Sequence, residues 1–262
     1  MAIGTMRVRP RTDFYYWRML GTGLSFTTFG IGGLVLGYLV FPLVWLFSAS
    51  PEKARRRCRR LVQASFAAFV WFMKSLGVLT WEVDQRERLQ GGGKLVLANH
   101  PTLIDIVLLI SMIPNACCIV KAALYRNPFT RGPVSRAGYV PNNAPEQLLG
   151  DCVGELKKGA SLVIFPEGTR SVNNRLLRFK RGAAYVFLEA KCAVSLVTIS
   201  CKPPTLAKHE KWYQIPPARP HFRLAVREDL SFRPTKVNTG RNQGARELTR
   251  HWQEHFTREI VT

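Results

Sequence analysis

Acidic residues are scarce in this sequence: 17 Asp and Glu stand against 38 Lys and Arg, a formal net charge of +21. That excess calls for an anionic partner, and nucleic acid, an anionic lipid surface and phosphate-bearing substrates all fit the sign. Paired metal-binding cysteines are missing too. Cys58, Cys117, Cys118, Cys152, Cys192 and Cys201 form no C-x-x-C pair, so they read as reduced structural thiols rather than a zinc or disulfide framework. His251 and His255 alone share an i, i+4 spacing, but Glu254 is misplaced for a zinc-protease helix and no third ligand is near, which leaves a polar helix face. Gly91-Gly92-Gly93-Lys94 continues into Leu95 without the Ser or Thr and the helix of a phosphate loop, so it reads as a turn. Neither Thr102 nor Ser111 sits in a nucleophile-elbow sequence, and there is no internal repeat or low-complexity tail. What remains is 262 residues, 47% of them hydrophobic, enough for a membrane segment and one α/β core of about 180 residues.

From Phe29 to Phe47 the chain is apolar and uncharged, close to the ~20 residues that span a bilayer. Arg7, Arg9, Arg11 and Arg18 precede it, and Lys53, Arg55, Arg56, Arg57, Arg59 and Arg60 follow it, so both flanks read as cytoplasmic. A second apolar stretch, Leu61 to Thr80, carries Gln63 and Lys74, as an interfacial helix would. A helical hairpin dipping into one leaflet, bent at Gly32, Gly33, Gly37 and Pro42, resolves the charge conflict; one true span is the alternative. Ser48-Ala49-Ser50 resembles a signal-cleavage site, but the apolar core is too long and the basic cluster opposes export. The expected division is residues 1–80 as a membrane-anchoring helical region and 81–262 as the catalytic domain, facing the cytoplasm at the cytoplasmic membrane.

Beyond the glycine turn, strand patterns at Lys94–Ala98, Cys117–Val120, Gly138–Val140, Ser161–Phe165, Val194–Cys201 and His221–Val226 alternate with helical ones. The helices fall at Thr102–Ile113, Pro145–Lys158, Lys180–Lys191 and Gln243–Thr257, with a proline-rich excursion from Lys202 to Pro220. This is an α/β pattern with a parallel or mixed sheet flanked by helices.

Two motifs carry chemistry. Asn99-His100-Pro101-Thr102-Leu103-Ile104-Asp105 lies where the first of these strands meets a helix, the place where open α/β sheets expose functional groups. Five residues of unbroken helix turn by about 500°, so His100 and Asp105 meet only if the chain bends before the first turn. If they meet, the imidazole is suited to take a hydroxyl proton near neutral pH and the carboxylate fixes its tautomer. The bland reading, a capping histidine beside a solvated aspartate, stands for this motif in isolation. Phe165-Pro166-Glu167-Gly168-Thr169-Arg170-Ser171 again follows a strand; Gly168 admits close approach of backbone and Arg170 offers a fork for phosphate. Lys180 and Arg181 add cations at the start of the next helix. The plain alternative is a charged loop with Glu167 paired to Arg170.

Through N-H-x-x-x-x-D at Asn99 to Asp105 and F-P-E-G-T-R-S at Phe165 to Ser171, the sequence resembles the lysophosphatidate (1-acyl-sn-glycerol-3-phosphate) acyltransferase family of glycerolipid acyltransferases. The match extends through Lys121 and Phe179–Gly182, over about residues 81 to 201. The resemblance implies the glycerolipid-acyltransferase fold and acyl transfer from acyl-CoA or acyl-carrier protein to a lysophospholipid hydroxyl at a phospholipid membrane. It implies no metal or other cofactor and no nucleic acid. His100 and Asp105 would be catalytic; Glu167, Gly168, Thr169, Arg170 and Lys180 would bind the acceptor phosphate, with Lys121 and Arg181 auxiliary. Two departures are visible. The family arginine expected after a strand like Gly138-Tyr139-Val140 is replaced by Pro141-Asn142-Asn143, leaving Lys121, Arg131 or Arg136 to compensate, and Ala193–Val197 lacks its bracketing prolines. That combination also faintly resembles acyltransferases of specialised lipid or polyene synthesis. A basic membrane-tethered nucleic-acid binder is disfavoured, because the aromatics sit in apolar segments and not between Lys and Arg.

Overall fold

The structure, a computed structural model, describes residues 14–171, 177–228 and 240–261. Arg7, Arg9 and Arg11 lie outside these residues. The first helical stretch is continuous from Tyr15 to Leu46 and is long and apolar enough to cross a membrane. It comprises α1 (Tyr15–Leu34), a π-helical segment (Val35–Val40) and α2 (Phe41–Leu46). The chain reverses at residues 47–50 and returns as α3 (Pro51–Ser75). Ser50 caps α3 by accepting the Lys53 N–H, and Pro51 and Glu52 fill its first turn. Gly77 closes it in a left-handed turn, with Val78 N–H on Met73 O and Gly77 N–H on Lys74 O.

Two expectations change here. The hairpin turns at residues 47–50, not at Gly32, Gly33, Gly37 or Pro42. Gly33 and Gly37 instead admit another helix, α5 (Pro128–Arg136): a Cβ at 33 would lie 2.2 Å from Phe129 O, and one on Gly132 would lie 2.3 Å from Gly37 Cα. The basic cluster after the apolar run is also not simply a flank, because it forms the first turns of α3. Arg59 is only 3% exposed. It donates to Ala137 O (2.8 Å), Gly138 O (3.0 Å) and Glu155 Oε2 (2.7 Å). A positive-inside count that scores it as solvated charge miscounts it.

The remaining elements are β1 (Thr80–Asp84), β2 (Leu95–Ala98), α4 (Asp105–Met112), β3 (Ala116–Val120), α5, β4 (Val140–Pro141), α6 (Pro145–Lys157), β5 (Ser161–Ile164), α7 (Gly182–Ala190), β6 (Val194–Lys202), β7 (His221–Glu228) and α8 (Arg241–Val261). Neither β1 nor α5 was expected. β1 begins at Thr80, where the second apolar stretch was read as still helical, and α5 holds two prolines, one interior at Pro133. Asn127 starts α5 by accepting the Phe129 N–H.

The strands form one mixed sheet in the order β1-β7-β6-β2-β5-β3-β4. Every pair is parallel except β6 with β7. β2, β5 and α4 supply fully buried Leu95, Leu97, Leu162 and Leu109 to the core. Because β6, β2, β5, β3 and β4 run the same way, the residues that follow each of them leave from one edge of the sheet. His100, Phe165, Lys121, Asn142 and the proline-rich excursion all start there.

Candidate active site

α4 begins at Asp105, not at Thr102 as the apolar period suggested. Residues 101–104 are bent, and that bend lets the motif close: His100 Nδ1 lies 2.9 Å from Asp105 Oδ2. Asp105 is completely buried. Its Oδ2 also accepts the Thr102 N–H at 2.6 Å and its Oδ1 the Thr102 hydroxyl at 2.7 Å. Burial pushes the Asp105 carboxyl above the ordinary carboxylate range, against the opposing pull of His100 and Thr102. The capping-histidine reading falls, since its aspartate would be solvated.

Four further residues hold the pair, and no spacing or residue pattern singles them out in advance. The His100 ring stacks on Phe165, centroids 4.1 Å apart and planes 17° from parallel. Asn99 bonds Ile199 of β6 through both amide atoms, at 2.7 and 2.8 Å, and so fixes the end of β2. Ser171 donates its N–H to His100 O at 2.7 Å and its hydroxyl to Glu167 Oε1 at 2.7 Å. Thr102 is the fourth. Phe165, Asn99 and Ser171 all sit inside or beside the motifs, but only the fold reveals that β2 and β5 are neighbours and bring them together.

In the second motif, Glu167 and Arg170 do not pair with each other. Glu167 Oε1 accepts the His100 N–H at 3.1 Å as well as the Ser171 hydroxyl. Its carboxylate is thus turned toward the backbone of His100, and burial pushes its pKa up against those bonds. Arg170 Nη1 donates to Leu206 O and Ala207 O, both at 2.9 Å, so one arm of the guanidinium holds the proline-rich excursion. Gly168 has φ 71°, and a Cβ there would come within 3.0 Å of Lys180 Nζ. Gly168, Thr169 and Lys180 are exposed together, and Arg181 caps α7 beside them. Gly168→Ala is expected to lower stability by about 1–2 kcal/mol, because the left-handed backbone is strained for alanine, and to displace the Lys180 amine. Thermal melting beside acceptor titration checks both effects.

Of the cations offered in place of the missing arginine, Lys121 is the one at this edge. It directly follows β3, whose Val120 registers with Pro141 of β4, and Asn142 Oδ1 accepts the Ala122 N–H next to it. Arg131 and Arg136 lie on α5, where the hairpin packs.

Residues 80–202 match the family model described as Acyltransferase. That match spans just under half of the chain and includes both motifs, which lie at adjacent strand ends. Relatives of the chain include 1-acyl-sn-glycerol-3-phosphate acyltransferases, which bears out the resemblance read from the motifs. The chloroplastic enzyme of Arabidopsis thaliana is 37% identical over 109 residues, 40% of this chain and 30% of its own length. That of Helicobacter pylori is 35% identical over 36% of this chain and 43% of its own. The human beta enzyme is 28% identical over 50% of this chain and 51% of its own. The chain thus spans about a third to a half of these relatives. The crystal structure of the 1-acyl-sn-glycerophosphate acyltransferase PlsC from Thermotoga maritima shares the fold, with a TM-score of 0.70 over 96% of both chains at 20% identity.

Proposed function

We propose that the protein is a membrane-bound O-acyltransferase that moves an acyl group from acyl-CoA or acyl-carrier protein to a lysophospholipid hydroxyl, converting 1-acylglycerol-3-phosphate to phosphatidate. The observation that carries this reading is the 2.9 Å contact between His100 Nδ1 and the buried Asp105, at the carboxyl edge of the sheet. With Nδ1 engaged, Nε2 is the nitrogen that takes the proton. The acceptor oxygen loses its proton to Nε2 as it attacks the thioester carbonyl carbon. The tetrahedral intermediate collapses with cleavage of the C–S bond, and the imidazolium protonates the leaving thiolate. Asp105 stabilises that imidazolium, and no acyl-enzyme forms. Gly168, Thr169, Lys180 and the outer face of Arg170 receive the acceptor phosphate, with Lys121 and Arg181 adding positive charge. Glu167 serves that pocket indirectly, by bracing the backbone of His100 and Ser171.

The Tyr15–Leu46 helix then rests in one leaflet of the cytoplasmic membrane with the catalytic domain on the cytoplasmic side. Supporting this, the helix touches the rest of the protein along its length, through Arg18 on Pro216 O (3.0 Å), through Gly33 and Gly37 against Phe129 and Gly132 of α5, and through Trp45 Nε1 on Arg136 O (3.4 Å). A crossing helix needs a run of about 20 residues away from its soluble domain, and those contacts leave little room for one. The test is direct. Purified protein, incubated with lysophosphatidate and either acyl-CoA or acyl-carrier protein, is expected to yield phosphatidate by mass spectrometry. Thioester left unconsumed across a panel of lysolipid acceptors would refute the assignment.

A further inference from the structure

The proline-rich excursion between β6 and β7 is held at both ends by an arginine from another part of the protein. Near its start, Arg170 donates to Leu206 O and Ala207 O. Near its end, Arg18 of α1, only 2% exposed, donates to Pro216 O and Ala218 O. Between these clamps the chain makes two tight turns, each closed by one side chain. Glu210 accepts the Ala207 N–H at 2.8 Å, and Gln214 Oε1 accepts the Lys211 N–H at 2.7 Å. The central residues of the second turn are Trp212 and Tyr213.

Both aromatics point outward, 46% and 44% exposed, with their rings edge to face. The exposed parts of both rings leave apolar surface in water that the fold does not cover. Trp212 rests on α1, where its ring lies 3.2 Å from the Cβ position of Gly23 and 6.3 Å from the Phe26 ring. One turn away on α1 is Leu20, 65% exposed, and Leu24 beside Gly23 is exposed as well. In the first turns of α1 the inward face is polar and small, Arg18, Gly21, Thr22 and Ser25, before Phe26 and Phe29 pack inward. Leu20 and Leu24 lie outside, and the Trp212–Tyr213 turn extends that exposed apolar face. The surrounding charge is basic: Lys211 lies 5.6 Å from the Tyr213 ring, Lys208 and Arg219 follow the same excursion, and Glu210 is engaged in its own turn.

We infer that the turn at Lys211–Gln214 is a second membrane contact, distant in sequence from the N-terminal hairpin, which seats in the interfacial layer of an anionic bilayer. Tryptophan and tyrosine favour that layer, where the ring is in lipid and its polar atom in the headgroups, and lysine favours anionic lipid. The partner is a lipid surface because the patch joins a helix face already apolar outward and because its charge is complementary to an anionic leaflet. The inference rests on the reading of α1 as seated in one leaflet. It adds a mechanical link: the same strap that meets the lipid holds Arg170, and Leu206 O also accepts the N–H of Leu103, two residues before Asp105.

The full chain, carrying an environment-sensitive fluorophore on a cysteine introduced at Tyr213 or, in a second sample, at Leu24, is mixed with phosphatidylcholine vesicles with and without phosphatidylglycerol. Signal from a parent labelled without the added cysteine is subtracted. Both positions are expected to give blue-shifted emission that acyl-brominated lipid quenches, with the Tyr213 signal stronger when phosphatidylglycerol is present. A label at Lys211 repeats the measurement if the Tyr213 variant does not fold. A water-like signal at the turn beside a lipid-like one at Leu24 would overturn the inference and leave the hairpin anchor standing. Water-like signals at both would remove the anchor and the inference together, and shielding of the turn label without vesicles would point to a protein partner instead.

Discussion

His100→Ala is expected to lower turnover about 10²–10⁴-fold, with the acceptor still bound, since general-base catalysis contributes about that much. The proposed proton-accepting Nε2 is lost, while Gly168 and Lys180, proposed to receive the acceptor phosphate, are untouched. Asp105→Asn is the sharper test. An asparagine fits the same cage: its oxygen accepts the bonds now made to Oδ2, and the Thr102 hydroxyl, now bonded to Oδ1, turns to accept from the amide. The fold then survives, but the negative charge that stabilises the imidazolium is gone, and a loss approaching 10⁴-fold in kcat is expected. Stability should move the other way. Burial raises the Asp105 pKa in the folded protein, so its contribution to stability is fully present below the unfolded pKa and declines as pH rises through the folded one. At neutral pH Asp105→Asn is therefore expected to melt no lower than the parent. Acylation assays and calorimetry on the same variant check both signs; a variant that is inactive because it is unfolded would refute the separation of roles.

The second large effect concerns Arg59. Arg59→Met leaves Glu155, Gly138 O and Ala137 O without the cation that ties α3 to α6 and to the turn before β4. A loss of about 3–5 kcal/mol is expected from stranding one member of a buried pair. Lys158 and Arg55 also approach Glu155, at 3.3 and 3.6 Å, but both are much more exposed and replace little of it. Burial alone would raise the Glu155 pKa, yet the hydrogen bond and charge of Arg59, helped by Lys158, hold it below its ordinary value. A carboxylate depressed in this way adds stability above its unfolded pKa, and that share is lost as pH falls through the folded one. Acid should thus destabilise the parent more steeply than Arg59→Met, which chemical denaturation at neutral and acid pH would reveal.

These two sites differ in how much of them could be read in advance. His100 and Asp105 are close in sequence and differ in kind from the apolar residues around them, so the motif announces itself. Arg59 does not. It belongs to a run of Arg and Lys that looks like one solvated flank, and its partners lie 56 to 96 positions away. Periodicity found β2, β3, β5, β6, β7, α6 and α8 because their apolar spacing is strong. It missed α5, whose prolines contradict a helix, and β1, which follows α3 after a turn of only a few residues. Gly33 and Gly37 of the N-terminal helix look like hinges in sequence; only the crossing with α5 shows them to be contact surface.

An α/β chain with an apolar N-terminal helix and two motifs that resemble those of the acyltransferase family is legible before any folding is considered, because local spacing and residue chemistry carry those features. Only the packed fold shows that the bend at residues 101–104 brings His100 onto Asp105, that Glu167 faces the His100 backbone and that Arg170 grips the strap. Those contacts join β2, β5 and the chain after β6, and sheet order is set by packing between segments far apart in sequence, which no local pattern encodes.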